Sequence, residues 1–167
     1  MKKLKLPPGV REQFDLLLVD GAGVWWTFEK RFTATFVASW SRLQAGEQAA
    51  LLESWGKWTK SKKPQVWVKF VQSLPAEAGP NVWSGYEPTG GIFTFVVPPC
   101  LPMPDNLFDV FVAHELRRAL RVAQGVMLQE LELEDYQIQL ANRQAGYDED
   151  ALQRWLTEHR PPPPATT

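Results

Sequence analysis

The sequence predicts an α+β fold, with a helical N-terminal half and a small mixed or antiparallel sheet on which further helices pack. Residues Ile92–Val97 (IFTFVV) are β-branched or aromatic throughout, which is typical of a strand. Residues Asp105–Gly125 repeat apolar side chains at helical spacing and predict a buried helix. Between them lies a proline-rich link, Pro98–Pro104, which is stiff because each proline fixes its own backbone angle. The strongest strand therefore leads directly into the longest predicted helix.

Length and composition favour one globular domain. The chain has 167 residues, of which 44% are hydrophobic and 22% are charged. We expect a single domain over residues 1–160, made of a helical N-terminal part (9–63) and a sheet-containing core (64–160). The last residues, 161–167, read PPPPATT and predict a disordered or polyproline-like tail.

Charge and cysteine usage exclude several classes of function. The net charge of −1 gives no electrostatic footprint for nucleic acid, so no nucleic-acid partner is expected. A single cysteine excludes an intramolecular disulfide and an all-cysteine metal site. The chain also has no apolar run long enough to cross a membrane, and its basic N-terminus lacks the apolar region of a signal peptide. We expect a soluble cytoplasmic protein without a membrane partner.

Three helices are predicted in the N-terminal part. Val10–Val19, Phe32–Leu43 and Glu47–Trp58 each place apolar side chains at helical spacing. The side chains expected to face the core are Phe14, Leu17, Leu18, Phe32, Phe36, Val37, Trp40, Ala50, Leu51, Trp55 and Trp58.

A basic run, Lys57–Lys63 (KWTKSKK), follows the third of these helices. It has two interpretations, a contact for an anion or nucleic acid and a solvated helix end. The second is favoured because the run is short, the chain is nearly neutral and cations suit a helix C-terminus.

The rest of the chain predicts a strand, two connecting segments and two C-terminal helices. Gln65–Leu74 predicts a strand, Pro75–Pro80 a loop, and Asn81–Gly91 an irregular segment or hairpin. Val126–Ala145 predicts a helix with Leu133, Tyr136, Leu140 and Ala141 towards the core, and Gly146 is its expected C-cap. Asp148 is the expected N-cap of a last helix whose buried face carries Ala151, Leu152, Trp155 and Leu156.

The predicted central helix carries His114-Glu115-Leu116-Arg117-Arg118, which differs from the zinc-peptidase signature H-E-x-x-H in its last residue. In that signature, two histidines one helical turn apart hold Zn²⁺ and the glutamate acts as general base on the metal-bound water. Arg118 cannot take the role of the second histidine, because a guanidinium has no lone pair to donate. It is expected to pair with a carboxylate, and Glu115 is the nearest candidate.

Two stretches resemble the small bacterial zincin-like metallopeptidases. VAHELRRALRVAQG resembles their active helix, which typically reads A-H-E-L-x-H-A-L, and EDYQIQLANRQAGYDEDALQRWL resembles the segment that follows it. The resemblance covers the C-terminal part, under half of the chain, and implies that residues 64–160 form a zincin-like core.

The resemblance also implies roles for individual residues. His114 matches the first zinc ligand and Glu115 the general base, while Arg118 stands at the second ligand and departs from it. In the family a glutamate on the next helix supplies the third ligand, and here Glu134, or Glu130 one turn earlier, would match it.

Three functional hypotheses follow. The favoured one is a degenerate, non-catalytic zincin-like domain without a cofactor, in which Glu115, Arg118 and Glu134 form an ion-pair network. It would bind a protein or peptide partner, laid along the sheet edge as substrates are in active relatives. The alternative is a zinc-dependent peptidase-like hydrolase with an unusual ligand set that uses Glu115 as general base. The third is an α+β interaction protein in which the motif is accidental.

Overall fold

A computed structural model describes residues 1–20, 25–73, 84–100, 102–127 and 130–159. In these ranges the chain forms one sheet with the order β1-β2-β3-β5-β4. Strands β2, β3 and β5 are parallel, whereas β1 and β4 run antiparallel to their neighbours at the two edges. The predicted α+β class with a mixed sheet is therefore confirmed. The strands are β1 (Lys2–Lys3), β2 (Asp15–Asp20), β3 (Gln65–Val71), β4 (Ser84–Glu87) and β5 (Ile92–Val96).

Helix α4 lies at the centre of the helical layer. It contacts α1, α2, α5, α6 and the edge strand β4, so it links the two halves of the described chain. No helix in the described ranges is long and apolar enough to cross a membrane. The helices are α1 (Trp25–Arg42), α2 (Ala45–Gly56), α3 (Val97–Cys100), α4 (Asp105–Ala123), α5 (Leu131–Gln144) and α6 (Glu149–Glu158).

Aromatic side chains fill the space between the sheet and the helices α1, α2 and α4. Strand β3 shows why, because its buried side chains alternate with half-buried ones and so present one apolar face. Trp40 and Trp55 stack with their ring centroids 5.5 Å apart, and Phe14 meets both rings edge-on. This layer, the aromatic core, contains Phe14, Phe32, Phe36, Trp40, Trp55, Phe70, Phe93, Phe95 and Phe108.

One predicted helix is wrong. Within Val10–Val19 the structure has a turn and then strand β2, which pairs in parallel with β3 from Asp15 onwards. A short apolar run such as LLLV fits a buried strand as well as a helix, and only the pairing partner separates the two. The N-terminal part 9–63 is therefore not wholly helical.

The predicted caps of the two C-terminal helices are confirmed, whereas two predicted core residues are exposed. Asp148 is the N-cap of α6, where its Oδ1 accepts from the backbone N–H of Ala151 at 3.0 Å, and Gly146 follows α5 with a φ of 91°, as predicted. Trp58 is 59% exposed, since α2 ends before it, and Tyr136 is 65% exposed on α5, so neither faces the core as predicted. The predicted loop Pro75–Pro80 and the tail 161–167 lie outside the described residues.

Candidate functional site

His114 lies in the middle of α4 with its ring buried between α5 and α6. Its Nδ1 is 2.8 Å from Oε1 of Glu149, the first residue of α6. Its Nε2 is 3.0 Å from Oδ1 of Asp135 on α5. One imidazole thus ties the central helix to both C-terminal helices.

The two carboxylates keep His114 protonated. Burial alone lowers the pKa of a histidine, but the hydrogen bonds to Asp135 and Glu149 outweigh it and raise the pKa to about 9. At neutral pH the ring is therefore an imidazolium that donates from both nitrogens. In return the hydrogen bond from His114 lowers the pKa of Asp135. Burial raises the pKa of Glu149, but the hydrogen bonds from His114 and two amides lower that pKa by more than burial raises it, so the net shift is downward.

Amide side chains complete the pairing of Glu149, which is 0% exposed. Asn142 donates to its Oε1 at 2.8 Å, and Gln153 donates to its Oε2 at 3.3 Å. Arg117 in turn donates to the Asn142 carbonyl oxygen at 2.7 Å. A fully buried carboxylate with this many donors is a fixed structural charge.

Glu115 faces the sheet edge. Ser84, the first residue of β4, donates its hydroxyl to Oε1 of the buried Glu115 at 2.6 Å. Arg118 approaches the same oxygen at 3.4 Å, so the expected pairing is present but long, and Arg118 remains 29% exposed. Oε2 of Glu115 has no hydrogen-bond partner among the described residues. The Ser84 hydroxyl thus contacts a carboxylate and makes no bond to His114 within the described chain.

Neither candidate third ligand forms a bond to His114 in the described residues. The carboxylate of Glu134 forms an ion pair with Arg121, two turns after His114 on α4. Glu130 is exposed and lies just before α5 as its N-cap residue. The expected network of Glu115, Arg118 and Glu134 is therefore two separate pairs, Glu115–Arg118 and Glu134–Arg121.

The residues present do not fit a zinc ion. A histidine ligates through a neutral nitrogen with a free lone pair, whereas both nitrogens of His114 carry protons shared with carboxylates. Asp135 and Glu149 lie at opposite nitrogens of one ring and so do not converge on a common point. Among the described residues no group of three or more His, Cys, Asp or Glu side chains could hold a metal ion. The chemistry of the donors, with Arg118 at the second ligand position, opposes a metal centre.

Sequence reasoning missed Asp135 and Glu149 as partners of His114. Asp135 directly follows the chosen Glu134, so the choice on α5 was one residue away from the side chain that contacts His114. Glu149 lies in the first turn of α6, where a carboxylate suits the helix dipole without any further partner. A signal was available, because Glu149, Leu152 and Leu156 follow i, i+3 and i+7 and so place Glu149 on the apolar face of α6.

The chain matches no family model, no curated protein and no solved structure. The likeness to zincin-like metallopeptidases therefore depends on the His114–Arg118 motif and the residues that follow it.

Proposed function

We propose that this chain is a degenerate zincin-like domain that acts without catalysis, by binding an extended segment of a protein or peptide partner. The observation that carries the first half of this proposal is the double pairing of His114 with Glu149 and Asp135. An imidazolium between two carboxylates needs no cofactor, and it stabilises three helices at the position where the resemblance puts a zinc ligand. We expect the protein to work in the cytoplasm.

The sheet edge beside Glu115 supports the second half. Strand β4 is the last strand of the sheet, and no strand pairs with its outer side among the described residues. An open edge offers backbone N–H and C=O groups to an extended segment, which can add to the sheet as a further strand. Ser84 anchors this strand to α4 through Glu115, so the edge is held in place by the motif helix.

Arg118 would lie within reach of such a segment. It belongs to the same group of side chains as Ser84 and Glu115, and its guanidinium is partly exposed. A guanidinium has five N–H donors, and among the described residues Arg118 makes one long bond, to Glu115. The remaining donors would suit carbonyl or carboxylate oxygens of the bound segment.

A peptide library tests the binding mode. We would select extended binders from a phage-displayed library of random dodecapeptides and measure the affinity of each synthetic peptide by fluorescence anisotropy. N-methylation at alternate residues removes every second backbone donor, and pairing with β4 predicts that one alternate set abolishes binding while the interleaved set leaves it nearly intact. If both sets bind like the unmodified peptide, the segment does not pair with the sheet edge and the proposal is wrong.

Two arginine variants test the place of binding. Arg118→Gln should lower the affinity for the selected peptides about fivefold, whereas Arg154→Gln, on the exposed side of α6, should leave the affinity unchanged.

Elemental analysis of the same purified protein tests the alternative function. Stoichiometric zinc that is lost in His114→Ala would favour the zinc-dependent hydrolase with Glu115 as base and would contradict a non-catalytic domain.

A further inference from the structure

A basic cavity lies at the opposite edge of the sheet from β4. It has a volume of about 470 Å³, within the range of small-molecule sites, and lies where β1 and the turn before β2 meet the residues before β3. Its polar lining consists of four cations and two carboxylates, namely Lys3, Lys5, Arg11, Lys63, Glu12 and Asp15.

Residues distant in sequence converge in this basic cavity. Lys63 is the last residue of the basic run Lys57–Lys63, and its ammonium donates to the backbone carbonyl of Arg11 at 2.6 Å. The same ammonium lies 3.0 Å from Oδ1 of Asp15, and Lys3 reaches that oxygen at 3.1 Å. The end of the basic run is therefore fixed against the N-terminal segment and is not simply a solvated helix end.

Several ammonium N–H groups of the cavity lining have no protein acceptor in the described chain. An ammonium has three donors, of which Lys63 uses two and Lys3 uses one in the described structure. Lys5 lines the cavity without any side-chain hydrogen bond or ion pair in the described chain. Two lysines share Asp15, and Arg11 is paired with Glu12. Four cations and two carboxylates line the cavity, so the lining has a net charge of +2.

Two apolar residues complete the lining of the cavity and join it to the hydrophobic core. Leu4 and Leu6 line it and are themselves buried in the main hydrophobic cluster, so this part of the chain is packed against the domain. The backbone N–H of Leu4 also donates to the carbonyl of Leu16 in β2 at 2.8 Å. Lys3 and Lys63 are already paired with Asp15, so they lose less side-chain entropy on binding a ligand than unpaired lysines do.

We propose that this basic cavity binds a small phosphate-bearing molecule with at least two negative charges. Such a ligand would offer acceptor oxygens to Lys5 and to the spare donors of Lys3 and Lys63, as ammonium groups suit phosphate as point charges. The volume suits a compact molecule, and the carboxylates of Glu12 and Asp15 in the lining disfavour a long continuous polyanion. This site is independent of the peptide edge at β4.

Calorimetric titration with inorganic tripolyphosphate tests the proposal. The full chain should bind one equivalent in a saturable manner at about 25 mM salt, and more weakly at about 150 mM. Sulfate at equal ionic strength should bind much less tightly, because it has fewer charges and oxygens to fill the cavity.

Two matched lysine variants locate the binding. Lys5→Gln removes a cavity cation that makes no side-chain hydrogen bond or ion pair among the described residues, so it should fold normally and lower the affinity about fivefold or more. Lys62→Gln removes the same charge from the exposed part of the basic run outside the lining and should change the affinity by less than about twofold. Absence of saturable binding, or equal effects of the two variants, would overturn the proposal. Tighter binding of duplex DNA than of tripolyphosphate would also overturn it, since the site would then be an extended surface.

Discussion

The aromatic core and the cluster around His114 are both buried, but they are built in opposite ways. In the aromatic core most rings touch at least two others, as Phe32 does with Phe36, Phe70, Phe95 and Phe108. In the His114 cluster each charge has a few specific partners, and Glu149 depends on one imidazole and two amides. The first region is held by many interchangeable contacts, and the second by a small number of irreplaceable ones.

This difference predicts how each region responds to change. Removing one ring leaves a cavity whose cost depends on how far its neighbours relax. Removing His114 leaves the fully buried carboxylate of Glu149 without its cationic partner, and that cost does not relax away. The same contrast bears on function, since a site that keeps its charges paired internally offers little to a metal.

Trp55→Ala should give the largest loss of stability. Trp55 stacks on Trp40, meets Phe14 edge-on, and donates its indole N–H to the Tyr86 hydroxyl at 2.9 Å. We expect the free energy of unfolding, measured with urea, to fall by about 4 kcal/mol, from the cavity and the orphaned hydroxyl together.

Trp58→Ala is the matched control, because the same side chain three residues later is mostly exposed. It should change the free energy of unfolding by less than about 0.5 kcal/mol. Equal losses for the two variants would mean that the stacked pair is not a centre of the core.

His114→Ala should cost about 3 kcal/mol, because it leaves the fully buried carboxylate of Glu149 without its cationic partner. The side chain of Asp135 is 43% exposed and can return to water, so Asp135→Asn should cost clearly less. Urea unfolding of both variants measures the difference.

A double-mutant cycle separates lost charge pairing from lost packing. Glu149→Gln in the His114→Ala background removes the stranded charge and should recover part of the stability. If the double variant is as unstable as the sum of the two single variants, the pair is not coupled and the contrast with the aromatic core fails.

Between about pH 6.5 and pH 8.5 the pH dependence of stability should come from His114. The pKa of His114 is about 9 in the folded protein against 6.5 for a free histidine, so its stabilisation is complete below pH 6.5 and is lost as the pH rises through about 9. Asp135 and Glu149, whose pKa values are lowered, stay ionised across this window. The free energy of unfolding should therefore decline between about pH 6.5 and pH 8.5 in the wild type and in Trp55→Ala, and stay flatter in His114→Ala.

The upper limit of that window matters because burial raises the pKa of Cys100 to about 12 from the ordinary thiol value of 9.0. Above pH 9 the unfolded thiol ionises first and adds its own loss of stability. An equal decline in His114→Ala below pH 8.5 would show that another group titrates and would contradict the assignment to His114.

Sequence predicted the aromatic core far better than the His114 cluster. Phe32, Phe36 and Trp40 lie on one face by helical spacing alone, and any apolar partner of the right size satisfies them. Strand β2 could not be predicted in the same way, since its pairing with β3 joins residues 50 positions apart, as in Asp15 and Gln65. His114 was placed correctly on a buried helix, yet its partners depend on the exact rotation of α5 and α6. A rotation of about 100° per residue on a helix separates Glu134 from Asp135, and helical spacing on one helix does not fix that angle relative to another.

Arg118→His should have the smallest effect, with no gain of zinc affinity. It restores H-E-x-x-H in sequence, but His114 still donates to Glu149 and Asp135, and Glu134 still pairs with Arg121. Zinc would have to displace the protons of His114 and strand both carboxylates, which removes the interactions that hold α5 and α6 to α4. Competition with a fluorescent zinc chelator should show the same negligible binding for Arg118→His as for the wild type.

The opposite result would be equally informative. If Arg118→His takes up about one zinc ion per chain and the double variant His114→Ala/Arg118→His does not, His114 must exchange its carboxylate partners for metal. The His114 cluster would then be a metal site closed by a single arginine. In that case its charges, like the rings of the aromatic core, could find new partners, and the contrast between the two regions would disappear.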